Sequence, residues 1–230
     1  MRISVAIVLL ILVAQSMYGQ TRRGYPVNAG QSPGKVIPDS AKYLLPAFTE
    51  GTAFLRSGGS LPMRFNYNYL LDEMQFLNAK GDTMAIADPA TLKKIVLDSI
   101  IFYFDKEYLK EIERAGNYKL AVWESLVQTP YKTEGAYGTK TASSSIESFS
   151  RIYANGKEFK LQVQKDVLFV KVADFYVGDA YDHFRKANKK AFSNLFSLKK
   201  EELDAYIREE KINFNSEEDL KKLLYFCAEN

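Results

Sequence analysis

Hydrophobic and polar residues alternate along residues 61–69. The odd positions hold Leu61, Met63, Phe65, Tyr67 and Tyr69, and the even positions between them hold Pro62, Arg64, Asn66 and Asn68. Alternation with a period of two is typical of a strand that has one buried face. The pattern therefore predicts a strand whose aromatic side chains form an inner face and whose asparagines point outward.

Neighbouring segments predict further strands of an antiparallel meander. Gly58 and Gly59 lie in a predicted turn between this strand and the one before it, and Asn155-Gly156 is typical of a two-residue hairpin turn. Asp88 followed by Pro89 predicts one helical turn. The further strands are predicted at residues 53–56, 74–76, 84–86, 94–104, 118–126, 149–153, 158–163 and 167–172. We interpret the charged residues 105–116 as a connection.

The hydrophobic period changes from two to that of a helix near residue 188. Leu220, Leu223, Leu224 and Cys227 follow the spacing i, i+3, i+4, i+7. Ser216 precedes this last segment and has Asp219 three residues later, a capping-box pattern. The pattern predicts short helices that are stable only when they pack on each other or on the sheet.

Together these elements predict an α+β fold, a mainly antiparallel meander of about seven to nine strands with short C-terminal helices. A curled sheet, a barrel and a sandwich all fit the strand pattern. The β-rich body is predicted at residues 48–185, with a mobile loop at about 129–150 that is rich in serine, threonine and glycine. The C-terminal helices are predicted to pack on the body within residues 186–230.

The N-terminal part has the pattern of an export signal. Arg2 precedes an apolar run at residues 3–13, and small residues follow at Ala14, Ser16 and Gly19. Residues 1–19 are therefore predicted to be a signal peptide, cleaved after Ser16 or Gly19, and the run is too short to span a bilayer comfortably. We expect an exported protein that is periplasmic, outer-membrane-associated or secreted, without a transmembrane segment once the signal is removed. Residues 20–47, which are polar and rich in glycine and proline, are predicted to be a flexible arm.

Charge and cysteine content exclude several classes of protein. The net charge is +3, which does not call for a nucleic-acid partner. Cys227 is the only cysteine, so an internal disulfide framework is excluded. We interpret Cys227 as a small buried residue on a helix; a free reactive thiol or an intermolecular bridge is the alternative.

The single histidine, His183, limits the available chemistry. A zinc site built on several histidines and cysteines needs three or four such ligands, so the sequence predicts no metal site and no cofactor. Serine–histidine catalysis is disfavoured as well, because Ser143, Ser144 and Ser145 lie in the predicted loop without a nucleophile-elbow context. We interpret His183 as a surface or capping side chain.

Carboxylates are the remaining candidates for acid/base catalysis. Asp72 and Glu73 lie beside aromatic residues at a predicted strand turn. Adjacent residues of a strand point to opposite faces, so these two cannot form a catalytic pair together. A pair of Asp72 with Asp82 or Asp88 would require the fold to bring them close.

Two sets of exposed or aromatic side chains allow a binding interpretation. Tyr67, Tyr69, Tyr103 and Trp123 could stack on a sugar or a peptide, although aromatic residues on strands usually belong to the core. A local basic patch could contact acidic lipid headgroups or polysaccharide, although a solvated face is the simpler interpretation. The patch consists of Arg185, Lys186, Lys189, Lys190, Lys199 and Lys200.

Several short motifs carry a family resemblance. They are the segments Phe65-Asn66-Tyr67-Asn68 and Asp72-Glu73-Met74-Gln75-Phe76, and near the C-terminus Leu203-Asp204-Ala205-Tyr206-Ile207, Lys211-Ile212-Asn213-Phe214 and Glu218-Asp219-Leu220. In this order, after a signal peptide, the motifs resemble a broad group of uncharacterised exported proteins of Bacteroidota. The resemblance implies export and a β-rich body with a helical end, and it brings no catalytic residue and no substrate.

The sequence thus favours an exported, non-catalytic binding or structural module of the envelope or the secreted fraction. Its partner would be an envelope protein or a glycan, and no binding residue is assigned. The alternative is an exported hydrolase, for example a glycan-directed one, that uses aspartate or glutamate.

Overall fold

The computed structural model describes residues 24–130, 162–196 and 200–229. These residues form eleven strands and five α-helices. The strands are β1 (Gly24–Val27), β2 (Thr49–Leu55), β3 (Ser60–Asn68), β4 (Glu73–Leu77), β5 (Thr83–Ala85), β6 (Leu92–Leu97), β7 (Ile100–Asp105), β8 (Glu107–Ala115), β9 (Tyr118–Pro130), β10 (Val167–Gly178) and β11 (Phe184–Lys186). The helices are α1 (Pro33–Val36), α2 (Asp39–Lys42), α3 (Lys189–Leu195), α4 (Lys200–Glu209) and α5 (Glu217–Glu229), and a 3₁₀ turn covers Pro89–Thr91.

All eleven strands belong to one antiparallel sheet. The strand order is β1-β10-β9-β8-β7-β6-β2-β3-β4-β5, and β11 pairs with β10. Strands β2 to β5 and strands β6 to β10 are therefore two consecutive meanders, joined where β6 pairs with β2, with Ala53 opposite Ile95. The predicted α+β meander with C-terminal helices is confirmed. The sheet is open, because β1 and β5 end the strand order without pairing to each other within the described residues.

The first hydrophobic core joins the two meanders. Tyr67, Ile95 and Phe102 contribute to it from β3, β6 and β7, and Leu126 and Phe169 contribute from β9 and β10. All five side chains are buried. Burial of such large apolar side chains is the main favourable contribution to folding, at about 25 cal/mol per Å² of apolar surface.

The second core lies between the C-terminal helices and the other half of the long strands. Leu120 and Val177 of β9 and β10 pack with Phe192, Leu203 and Leu224 of α3, α4 and α5. The apolar stripe of α5 is buried as its spacing predicts, and Ser216 Oγ accepts a hydrogen bond from the N–H of Asp219 at the start of this helix. The prediction of helices that pack on the body is confirmed for the described residues.

The structure corrects the predicted flexible arm from Gly24 onward. β1 pairs with β10, with Gly24 opposite Val170, and α1 and α2 follow it. Val27 and Ile37 are 0% and 1% exposed. The segment is rich in glycine and proline, so its sequence shows no regular apolar pattern. Its few apolar residues are buried by contacts with residues far along the chain. Residues 20–23 lie outside the described part.

Residues 105–116 were interpreted as a connection, and this interpretation is wrong. They contain β8, whose charged side chains stay partly or fully exposed while Tyr108 and Leu109 are buried. Of the predicted loop at 129–150, only Thr129 and Pro130 are described, and they end β9. The predicted signal peptide at 1–19, the hairpin turn at 155–156 and the strand at 149–153 lie outside the described residues. The predicted strand at 158–163 does too, except for residues 162 and 163.

Within residues 24–130, 162–196 and 200–229, no helix is both long and apolar enough to cross a bilayer.

Candidate functional site

The turn between β3 and β4 meets β9 where β9 extends beyond its partner β8. The last register pair of β8 and β9 on this side is Lys110 with Val122. Beyond it, the N–H of Leu126 donates to the carbonyl oxygen of Tyr69 at 2.8 Å, and Ser125 Oγ donates to the same oxygen at 3.0 Å. The turn thus satisfies backbone groups that β8 does not reach.

Asp72 lies in this turn and accepts hydrogen bonds from two aromatic side chains. Its Oδ1 accepts from the hydroxyl of Tyr67 at 2.5 Å and from Nε1 of Trp123 at 2.8 Å. Asp72 has φ of 54°, a left-handed conformation that aspartate tolerates better than most residues. Burial, and then the charge of Asp72, raises the pKa of Tyr67 well above its usual value, so Tyr67 stays a neutral donor. The first acid/base candidate is therefore part of an internal hydrogen-bonded cluster.

Glu124 of β9 is held between two lysines, one from each neighbouring strand, β8 and β10. Lys110 Nζ lies 2.7 Å from Oε2 of Glu124 and Lys171 Nζ lies 2.9 Å from Oε1. Lys171 Nζ also lies 3.8 Å from the ring centroid of Tyr69, a cation–π contact. Burial acts to raise the pKa of Glu124, but the hydrogen bonds and charges of the two lysines outweigh it and lower the pKa below its usual value. Glu124 is thus an ionised structural carboxylate.

The remaining acid/base candidates make local hydrogen bonds of their own. Glu73 accepts a 2.7 Å hydrogen bond from Gln75 Nε2, and burial raises the pKa of Glu73 despite that bond. Asp82 Oδ2 accepts from Asn78 Nδ2 in the turn before β5. Asp88 Oδ1 accepts from the N–H of Ala90 and caps the 3₁₀ turn as its sequence position predicts.

The prediction that Asn66 and Asn68 point into solvent is wrong. Their exposed fractions are 2% and 4%. The segment at 42–44 pairs with β3 beyond the reach of β2 and covers this end of the strand. Both asparagines are therefore enclosed by backbone that the alternation pattern alone does not reveal.

The two asparagine amides are satisfied by main-chain groups and, at Asn68 Nδ2, by the side-chain oxygen of Gln75. Asn66 accepts from the N–H of Leu45 at 3.0 Å and donates to its carbonyl at 2.8 Å. Asn68 Oδ1 accepts from the N–H groups of Leu70 and Leu71 at 3.0 and 3.1 Å. Buried amides satisfied in this way fix the backbone around the β3–β4 turn.

The aromatic candidates belong to the interior. Tyr67, Tyr69, Tyr103 and Trp123 are 1%, 5%, 3% and 8% exposed, which confirms the core interpretation of these side chains. They do not line an open groove.

His183 and Cys227 also follow their simpler interpretations. The side chain of His183 is exposed, and its Nδ1 lies 3.2 Å from Asp179 Oδ2. Cys227 is 4% exposed, and burial raises the pKa of its thiol to about 12.

The basic patch is partly neutralised at the surface. Lys186 pairs with Asp174 at 2.9 Å, and Lys189 pairs with Asp204 at 2.7 Å. Arg185, Lys190 and Lys200 are exposed. Lys199 lies outside the described residues.

A groove of about 820 Å³ runs along the outer face of β2, β3, β4 and β6. Thr52 pairs with both Pro62 and Val96, and Arg64 pairs with Leu77, so these side chains share the face opposite the first core. The groove is lined by Glu50, Gly51, Thr52, Pro62, Met63, Arg64, Leu77, Asn78, Ala79, Val96 and Asp98. We call this the outer groove.

The outer groove combines apolar with charged side chains. Nε and Nη2 of Arg64 donate to the carbonyl oxygen of Phe48 at 3.2 and 2.8 Å, which fixes the guanidinium at the wall. Glu50 and Asp98 add two carboxylates. Sequence reasoning missed this groove, because the alternation only placed Pro62 and Arg64 outward and gave no signal that β6 would lie beside β2.

Comparison of the chain with protein-family models, curated proteins and solved structures found no match. The resemblance to exported Bacteroidota proteins therefore stays a prediction. Across the parts of the chain that the structure describes, no group of three or more histidine, cysteine, aspartate or glutamate side chains could hold a metal ion.

Proposed function

We propose that this protein is an exported, non-catalytic binding module of the cell envelope or the secreted fraction, and that it takes its ligand in the outer groove. The observation that carries the proposal is the contrast between two sets of carboxylates. Asp72 and Glu124 are engaged by internal donors, whereas the outer groove is open and mixes apolar walls with Glu50, Arg64 and Asp98. Ligand sites commonly combine apolar walls with a few polar groups.

The ligand proposed for the outer groove is a segment of an envelope protein or a glycan chain. An open groove across four strands suits an extended ligand better than a small enclosed one. Pro62 has no backbone N–H, so strand addition along this part of β3 is disfavoured. Side-chain contacts would therefore carry recognition.

Site-specific cross-linking tests this proposal. A photoreactive residue at position 79, in the groove wall, should give cross-linked products with native envelope material, and the same residue at exposed position 209 on α4 should not. Excess unlabelled protein should compete for the products, and the Arg64→Ala variant should compete less well. Equal products from both positions would refute a groove-specific ligand.

An exported hydrolase is the second candidate, because Glu50 and Asp98 line the same groove. Two carboxylates that flank one glycosidic bond can act as acid and as base or nucleophile. Release of reducing ends from envelope polysaccharide by the intact protein, abolished in both Glu50→Gln and Asp98→Asn, would favour the hydrolase over the binding module. Ligand binding without release of reducing ends would favour the binding module.

A further inference from the structure

The loop between β10 and β11, residues 179–183, is held by hydrogen bonds from both sides. We call it the tip loop. Asp179 Oδ1 accepts from the N–H groups of Tyr181 and His183 at 2.8 and 3.0 Å. Lys119 Nζ donates to the carbonyl oxygen of Asp179 at 2.8 Å and lies 2.7 Å from Asp182 Oδ1.

Two energetically unfavourable features accompany the fixed conformation of the tip loop, a buried lysine and a left-handed backbone conformation. The side chain of Lys119 is only 5% exposed, and burial of a lysine is unfavourable unless the charge is paired. Asp182 adopts a left-handed conformation with φ of 65°. The conformation obtained in this way leaves Tyr181 79% exposed. A loop whose backbone is held in place before contact loses less conformational entropy when it docks.

The chain that follows the tip loop is strongly basic. Residues 183–200 contain six lysines and arginines and no aspartate or glutamate. Within the described residues, Arg185, Lys190 and Lys200 have no carboxylate partner, whereas Lys186 and Lys189 do. Uncompensated positive charge therefore begins at Arg185, which lies on β11 just after the tip loop and pairs with Val177.

We propose that Tyr181, Arg185, Lys190 and Lys200 form a surface that docks on an anionic lipid layer. Tyrosine is enriched at the headgroup level of membranes, where its ring is half in water, and basic side chains are attracted to acidic headgroups. The inference goes beyond the outer groove and does not depend on it. A competing explanation is that basic residues on the short edge strand β11 only prevent pairing with other chains, and this would require no lipid.

The test uses the full chain with Tyr181→Trp as a reporter, because Trp123 is buried and provides a constant background. Vesicles of equal parts phosphatidylglycerol and phosphatidylcholine should shift the emission to shorter wavelength, and brominated lipids should quench it. Phosphatidylcholine vesicles should produce neither effect. Added salt should weaken binding, because the Debye length falls.

Two variants that lose the same number of positive charges distinguish the effect of the proposed surface from the effect of the net charge. The triple variant Arg185→Gln, Lys190→Gln, Lys200→Gln should bind anionic vesicles roughly a hundredfold more weakly, since each basic residue near the surface contributes about fivefold. The control Lys35→Gln, Lys80→Gln, Lys93→Gln changes the net charge equally at exposed sites and should lose less than about twofold. The proposal fails if both variants lose affinity equally, or if the intact protein does not bind anionic vesicles in dilute salt.

Discussion

The hydroxyl of Tyr67 donates a 2.5 Å hydrogen bond to the carboxylate of Asp72, five residues further along the chain. Trp123 Nε1 donates to the same oxygen from β9. One carboxylate therefore connects the first meander with the second. Because Asp72 lies in a left-handed turn, its backbone and its side chain both determine how the turn meets β9.

Asp72→Ala should lower the free energy of unfolding by about 2 kcal/mol, since it removes an acceptor shared by two buried donors. Asp72→Asn should cost less, because the amide oxygen still accepts and asparagine tolerates the left-handed conformation. Urea unfolding followed by the fluorescence of Trp123 measures both. Equal losses for the two variants would show that the acceptor oxygen is not what matters.

Asn66→Ala should loosen the segment before β2 without disturbing β9. Its amide makes both hydrogen bonds to Leu45, and neither the N–H nor the carbonyl of that residue would keep its partner. Hydrogen exchange should rise several-fold at Leu45 and stay unchanged in β9. Glu50→Ala, on the exposed outer face, is the control and should leave exchange at Leu45 unchanged.

Glu124 should make stability fall in acid. Its pKa in the folded state is depressed by Lys110 and Lys171, so its contribution is fully present above the unfolded-state pKa of about 4.3 and is lost as pH falls through the lower folded-state value. Glu124→Gln should be less stable at neutral pH and should lose less stability on acidification. Urea midpoints measured across this range test the point, and parallel pH profiles for the two proteins would contradict it.

Gly51→Ala should destabilise the sheet more than Gly58→Ala. A Cβ at Gly51 would lie 2.6 Å from the carbonyl oxygen of Val96, which the β2–β6 pairing holds in place, and overpacking of this kind costs about 2 kcal/mol. At Gly58 the space is open, and only its φ of 92° disfavours a side chain, at about 1 kcal/mol. Urea unfolding should rank the variants in this order. The reverse order would mean that the backbone of β6 at Val96 shifts easily to make room for the added Cβ.

Cys227 should react with thiol reagents only when α5 opens. Its thiol is buried, and its pKa is raised to about 12, so almost no thiolate is present in the folded protein near pH 8. Labelling by iodoacetamide should be slow in buffer and fast in concentrated urea. Fast labelling of the folded protein would contradict the burial of this residue and revive the interpretation of a reactive thiol.

The local hydrophobic periodicity correctly predicted the features that depend on residues close in sequence, namely which face of an element is buried and where a helix lies. The alternation of β3 placed Tyr67 inside correctly, and the spacing of Leu220, Leu223 and Leu224 located α5. The partner of Asn66 is 21 residues away, and Trp123 is 51 residues from Asp72. Such contacts arise only when strands distant in sequence pair, and no local pattern encodes them.

The outer groove shows the same limit. Arg64 and Glu50 were recognisable as exposed positions, but the groove exists because β6 returns to the free edge of β2. The burial of Asn66 and Asn68 was missed for a related reason. A polar side chain is predicted to be exposed to solvent unless its hydrogen-bond partner in the fold is known.

The pairing of β1 with β10 has a consequence for the order in which the protein folds. The hairpins from β6 to β9 join strands that follow one another, so they close short loops and can form early. β1 is near the beginning of the described chain, yet within the described residues its partner strand β10 is followed only by β11 and the C-terminal helices. β1 therefore cannot pair until β10, near the other end of the described chain, is available. We expect the docking of β1 to be among the last steps of folding.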